Sequence, residues 1–317
     1  MPTNRRTLLI TGASGFIGSN LVAHLEGRGD LRLRLQVHSR AFPREWESKG
    51  HEVVHGSLTD RAALKAWVDG VQLVVHAAAD TDIARAVKNP LHSLDVNCRA
   101  TMELLDEARA ASVERFVYLN SARIYGRTQY LPIDEEHPFY IEDPYGASKL
   151  AGGLYTDLYH RLYGMATVNL VVFSVYGPGQ RPQGNTGVVA IFCRKAVDGE
   201  DITIYGDGSF QRDLVHVRDV CRAVELALDT PHAAGKRYNL GAGRGVSIKE
   251  VAELVLEVAR GSGYAKSRVK YADALPGDVS NCADGRKIAR ELAFEPTVSL
   301  RDGIQEYVAW YAAHREK

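Results

Sequence analysis

The stretch Thr7-Leu8-Leu9-Ile10-Thr11-Gly12-Ala13-Ser14-Gly15-Phe16-Ile17-Gly18 decides the fold. Thr7 to Ile10 reads as a buried strand that runs straight into a turn with glycines at spacing three, Gly12, Gly15 and Gly18. Beyond it Ile17, Leu21 and Leu25 fall on one face of an amphipathic helix. Strand, glycine turn and helix in that order form the setting of a dinucleotide-binding site. The glycines permit a tight turn and close backbone approach, and the helix amino terminus offers unpaired N–H groups to a pyrophosphate. The spacing is G-x-x-G-x-x-G, not the G-x-G-x-x-G of the commonest dehydrogenases. A glycine-rich turn without a ligand is the plainer reading, and the flanking strand and helix weigh against it.

Outward from this turn the second strand, Leu31 to His38, ends at Ser39-Arg40, where a carboxylate for a ribose 2′-hydroxyl is missing. A hydroxyl and a guanidinium suit a 2′-phosphate, so between NAD and NADP the pair leans toward NADP. A solvent-facing Arg is the competing reading. Strands and helices then alternate through Glu52-Val53-Val54, a helix from Thr59-Asp60 to Val68, and Leu73-Val74-Val75-His76. Such alternation predicts a parallel sheet flanked by helices on both faces. His76 reads as a satisfied core histidine. Ala77-Ala78-Ala79 would let a ligand lie against the backbone, and a helix from Pro90 to Ala111 carries Asn97.

The chain has 317 residues, long enough for one large α/β domain or a large domain with a smaller partner. Lys plus Arg and Asp plus Glu both number 39, so no basic excess exists for nucleic acid. The four cysteines, Cys98, Cys193, Cys221 and Cys282, show neither metal-ligand nor disulfide spacing, which fits a reducing cytosol. The polar stretch Met1 to Arg6 and the short apolar run after it suggest neither a signal peptide nor a membrane span.

The chemistry points to Tyr145-Gly146-Ala147-Ser148-Lys149. In a helix after Pro144, Tyr145 and Lys149 stack on one face, and an ammonium beside the phenol would lower its pKa from about 10. Ser121, at the end of the apolar strand Arg115 to Leu119, could hydrogen-bond the same oxygen. Tyr and Lys four apart also occur by chance in many helices.

Together, Thr11 to Gly18, Val96-Asn97, Ser121 before Ile124-Tyr125-Gly126, and Tyr145-x-x-x-Lys149 make the chain resemble the extended short-chain dehydrogenase/reductase family. The branch it is similar to acts on nucleoside-diphosphate sugars, as epimerases and dehydratases do. The likeness continues in Tyr176 to Pro182, Ile204 to Gly208, Gln211-Arg212-Asp213, Val217 to Val220, Asn239-Leu240-Gly241 and Pro276 to Val279. The resemblance implies a Rossmann-like doubly wound parallel sheet over residues 1–174. Residues 175–317 would mainly form a smaller C-terminal α/β substrate-binding domain, with strand segments returning to the first. It further implies Tyr145 as acid/base, Lys149 on the nicotinamide ribose and Ser121 on the reacting hydroxyl. Gly12, Gly15, Phe16, Ile17, Gly18, Ser39, Arg40, Ser57, Leu58, Ala77, Ala78, Ala79 and Asn97 would meet the cofactor. Ser121, Arg123, Ser174 and Arg212 would meet the substrate, with Arg212 on its diphosphate. A homodimer through the helices at 90–111 and 145–163 is also implied, and Leu154, Leu158 and Leu162 fit either that face or the core.

Departures from the family pattern narrow the reaction. Dehydratases of this branch carry Asp and Glu after the catalytic hydroxyl residue, and here Ala122 and Arg123 stand there. Leu275 replaces a second diphosphate-binding Arg, Ser174 an Asn, and Ser57 an adenine-binding Asp. The leading expectation is a cytoplasmic 4-epimerase of a nucleotide sugar working through a transient 4-keto intermediate. The alternatives are an NADPH-dependent ketone reductase, a dehydratase, and a non-catalytic dinucleotide-binding scaffold. Arg123 carries a weaker reading, that it pairs with a uronic carboxylate, against an Arg reaching solvent with its stem packed.

Overall fold

The computed structural model describes residues 5–38, 42–182, 187–264, 266–274 and 279–315. Its strands are β1 (Arg6–Thr11), β2 (Leu31–Val37), β3 (Glu52–His55), β4 (Leu73–His76), β5 (Arg115–Ser121), β6 (Thr167–Val172), β7 (Ser174–Tyr176), β8 (Ile202–Tyr205), β9 (Gln211–His216), β10 (Lys236–Leu240), β11 (Gly245–Ser247) and β12 (Val269–Ala272). Seven form one sheet in the order β10-β6-β5-β4-β1-β2-β3. Every pairing in it is parallel, and the central strands β1, β4, β5 and β6, covered on both faces, carry the apolar runs. Leu8, Leu9, Ile10, Val74, Val75, Phe116, Val117 and Leu170 are fully buried.

The order reverses between β1 and β4, and the crevice beyond the strand ends at such a switch point is where a dinucleotide is expected. β10 joins the edge of this sheet beside β6, although it follows β7 to β9 in sequence. The helix Val217–Asp229 also buries Val220, Val224 and Leu228 in the core beneath the sheet. A second core gathers around the helices Val188–Asp198, Ile248–Gly261 and Leu300–His314, with Phe192, Val255, Ile304 and Tyr307 at its centre. The small sheets β11-β9-β7 and β12-β8 border it.

The helix expected from Pro90 to Ala111 is not regular. It runs as an α-helix over Pro90–Leu94, widens to a π turn over Asp95–Arg99, and continues as α over Ala100–Ala110. Such bulges cluster at functional sites. Here the bulge contains Asn97, whose amide bonds both backbone groups of Asp80 at 2.8 and 2.9 Å.

Candidate active site

The helix Pro144–Tyr163 starts where sequence and chemistry agree. Pro144 occupies the first turn, and the Asp143 carboxylate accepts from Gly146 N at 2.8 Å. The helix lies close on β5 because Gly152 and Gly153 have no Cβ. One at Gly152 would stand 2.7 Å from the Tyr118 hydroxyl, and one at Gly153 2.9 Å from Asn169 Nδ2. This contact sets Tyr145 and Lys149 against the strand end that carries Ser121.

The Ser121 hydroxyl and the Tyr145 phenol border the same cleft, and Ser121 draws the phenol pKa down. The Ser121 hydroxyl also accepts from Arg123 N at 3.2 Å, capping the 3-10 turn Ala122–Ile124. Ser121, Arg123, Tyr145, Ser174 and Arg212 all border one cleft of about 640 Å³ between the two cores. The structure therefore brings together every residue expected to meet substrate. Lys149 lies behind this surface, 3 % exposed, with Nζ donating to the Leu119 carbonyl at 2.7 Å and 4.1 Å above the Tyr118 ring.

The electrostatics differ from the expectation that Lys149 lowers the phenol. Burial pushes Tyr145 above its ordinary pKa, against the pull of the Ser121 hydrogen bond and the Arg123 charge. Burial also pushes Lys149 down to about 7. Both follow from one cause, since desolvation disfavours a phenolate and an ammonium alike. The four-residue spacing does place both side chains on one buried face of the helix. The water it excludes was not visible in it.

Arg123 is a cation on the cleft wall itself. Its Nε donates to Asp143 Oδ2 at 2.8 Å, tying the turn after Ser121 to the cap of the Tyr145 helix. Arg212 packs over the Phe210 ring at 4.8 Å and donates to the Val279 carbonyl.

At the switch point, Gly12 has φ +68°, and a Cβ there would come within 2.8 Å of Ala78 Cα. Gly15 N bonds Gly12 O at 2.8 Å and caps the helix Phe16–Leu25, with no side chain on its first-turn amides. Phe16 and Ile17 begin that helix, and Gly18 is buried against the turn. Ala77, Ala78 and Ala79 lie half-buried directly after β4. An open helix start beside a wall of alanines fits a dinucleotide pyrophosphate. Ser57 caps its own turn through Thr59 N at 3.2 Å, and Leu58 is buried. Asn97 Nδ2 also reaches Ser148 Oγ at 3.0 Å, so its amide clamps the loop after β4 to the Tyr145 helix. Ser39 and Arg40 lie outside the described residues.

Three contributors were missed in the sequence. Gln36, 1 % exposed, receives Gly12 N on Oε1 at 2.8 Å and donates Nε2 to the Gly56 carbonyl at 2.8 Å, bracing the glycine turn. The strand Leu31–Val37 alternates Leu with Arg32, Arg34 and Gln36, so only the burial of Gln36 sets it apart, and the sequence carried no signal for that. Asp143 was legible as a cap before Pro144. Thr11 was hidden, because its value depends on a residue far along the chain. Its hydroxyl meets His76 Nδ1 at 2.7 Å and accepts from Ala78 N at 3.2 Å. His76 Nε2 meets Thr101 Oγ1 at 3.0 Å, so His76 is the satisfied core histidine expected of it.

The fold and the cleft define a Rossmann-type dinucleotide-dependent protein with a Ser-Tyr-Lys group beside an open substrate cleft. The sequence pattern of the NAD dependent epimerase/dehydratase family matches residues 8–241, and the chain belongs to that family. It is 32% identical over 306 residues to a putative UDP-glucose 4-epimerase of Methanocaldococcus jannaschii, covering 96% of this chain and 97% of that one. It is 32% identical over 328 residues to a dTDP-glucose 4,6-dehydratase of an Actinoplanes species, covering 97% and 98%. The crystal structure of UDP-glucose 4-epimerase with UDP-glucose from Thermotoga maritima superposes with a TM-score of 0.88 at 30% identity, covering 96% and 98%.

Proposed function

We propose that the protein is a nucleoside-diphosphate-sugar 4-epimerase working through a transient 4-keto sugar. The observation that carries this reading is the convergence of the Ser121 hydroxyl on Tyr145 at the wall of the cleft, with Ala122 and Arg123 in place of an acid/base pair for water elimination. Residues 1–174 would hold the cofactor and 175–317 mainly the sugar nucleotide, with Arg212 and Ser174 on its diphosphate side. Gly12, Gly15, Phe16, Ile17, Gly18 and the Ala77–Ala79 wall would hold NAD, with Ser57 and Leu58 at the adenine side. Lys149 would face the ribose, and Asn97 would hold the wall in place.

When bound, the nicotinamide supplies the acceptor and later the donor of a hydride. The chain's own part is proton transfer and orientation. Tyr145 Oη takes the proton of the C4 hydroxyl as the C–H bond gives up its electron pair, and Ser121 supports the developing charge on that oxygen. Rotation of the keto sugar followed by return of proton and hydride on the other face inverts C4, with no net consumption of reductant. Incubating the NAD-loaded protein with a UDP-hexose and following the anomeric signals by NMR tests this. Formation of the 4-epimer without added reductant supports it, and stoichiometric NADPH consumption without an epimer overturns it.

A second reading, an NADPH-dependent reductase of a 4-keto sugar nucleotide or another ketone, rests on Ser39-Arg40 and their suitability for a 2′-phosphate. Comparing the affinities of NAD and NADP decides it, and preference for NAD counts against it.

Leu91 and Leu162, 70% and 63% exposed, together with Leu94, Leu154 and Tyr163, put apolar surface on the helices Pro90–Leu94 and Pro144–Tyr163. That surface supports a homodimer through these helices. All four cysteines are unpaired, which supports a reducing cytoplasm. Among the described residues no helix is long and apolar enough to cross a membrane.

A further inference from the structure

Arg123 is built into the cleft in a way that a solvent-facing arginine is not. Its backbone N–H is held by the Ser121 hydroxyl. Its stem lies on the first turn of the Tyr145 helix, where a Cβ on Gly146 would stand 3.6 Å from Arg123 Cγ and 2.9 Å from its carbonyl oxygen. Its guanidinium is gripped along one edge, through Nε, by Asp143 Oδ2. Among the described residues Asp143 is its one ion-pair partner, and the side chain stays 40% exposed on the cleft wall. The Asp143 carboxylate is shared with the helix start, accepting from Gly146 N on Oδ1 and from Arg123 Nε on Oδ2. The neighbouring acid on the wall, Glu142, stands 3.6 Å from Arg127 Nε.

A guanidinium held through Nε on the wall of a cleft and 40% exposed is matched by a planar, two-oxygen anion, which takes two parallel N–H···O bonds. A sugar hydroxymethyl group offers one neutral oxygen in its place. Ser121 and Tyr145 claim the reacting hydroxyl, and Arg123 lies two residues beyond Ser121. On the same cleft wall as both, Arg123 is placed to meet a substituent beside the reacting carbon.

We propose that Arg123 is a specificity-determining residue that selects sugar nucleotides bearing a carboxylate beside the reacting carbon, as a hexuronate does. This rests on the nucleotide-sugar reading above. It goes further in naming the substrate class.

The test uses the NAD-loaded full chain with UDP-glucuronate and UDP-glucose, measuring dissociation constants by calorimetry and kcat/KM by NMR, in the native protein and in Arg123→Gln and Arg123→Lys. The native protein prefers UDP-glucuronate by roughly tenfold or more, the size of one charge-assisted bond. In Arg123→Gln the ratio between the two sugars falls to about one, chiefly through KM. Arg123→Lys restores part of the ratio, since it keeps the charge and loses the fork. Equal affinity of the native protein for both sugars overturns the proposal. So does an equal loss on both in Arg123→Gln, the result of a purely structural or phenol-tuning role. Because calorimetry reads preference without turnover, uronate-selective binding without an epimer would reject the epimerase reading and leave this assignment standing. An epimer formed equally from both sugars would do the reverse.

Discussion

Lys149 Nζ donates to the carbonyl oxygen of Leu119 at 2.7 Å, a bond that ties the helix of the phenol to the strand of the serine two residues before Ser121. The ammonium is buried there, and burial lowers its pKa from 10.5 to about 7. A group depressed in the folded state contributes stability above its unfolded pKa and loses it as pH falls through the folded one. Between pH 10.5 and about 7 the unfolded chain binds more protons, so this contribution shrinks as the solution is acidified. The melting temperature of the cofactor-free native protein minus that of Lys149→Met should fall progressively from pH 9.5 to pH 6.5. A difference independent of pH would remove the buried-ammonium account.

Tyr145→Phe removes the proton acceptor and keeps the ring that packs beside Ser121. Turnover should drop by at least about a hundredfold, while NAD affinity, read by calorimetry, stays within about threefold. Retained turnover would place the base elsewhere in the cleft.

Because burial raises the Tyr145 phenol, its base form is a minority at neutral pH. Epimerisation should accelerate as pH rises from 6 to 9, and the acid limb of the kcat profile should disappear in Tyr145→Phe. A flat native profile over that range would show that proton uptake by the phenol does not limit the reaction.

Gly12→Ala places a Cβ on a residue with φ +68° and within 2.8 Å of Ala78 Cα. Left-handed backbone alone costs an L residue about 1–2 kcal/mol, and the contact forces β1 away from the loop after β4. Urea denaturation should show a loss of at least that size, with NAD affinity reduced as well. Gly15→Ala meets only Gly12 O, at 3.0 Å and without a positive φ, and should cost less stability.

Asn97→Ala leaves both backbone groups of Asp80 without their partner in a buried place. Unsatisfied buried groups cost about 1–3 kcal/mol each, so the two together should cost roughly 2–6 kcal/mol in chemical denaturation. Asn97→Asp can still accept from Asp80 N but no longer donates to its carbonyl, so it should not rescue. Full rescue by Asp would show that the donor half of the clamp is dispensable.

Much of this protein was legible from local pattern. The strand, glycine turn and helix at 7–25, the cap and proline ahead of Tyr145, and the period that aligns Tyr145 with Lys149 all lie within a few residues of each other, where steric rules and helical spacing act directly. The apolar runs likewise announced a sheet buried on both faces. Other features join residues far apart. Leu240 of β10 pairs with Val172, Thr11 meets His76, Asn97 grips Asp80 across a π turn, and Asp143 holds Arg123. No spacing encodes these, because they arise when distant segments exclude water from one another. That exclusion also reversed the expected direction for the phenol. Sequence determined which groups stand together on one helix, and tertiary packing decided how much solvent each keeps and therefore which of them holds its charge.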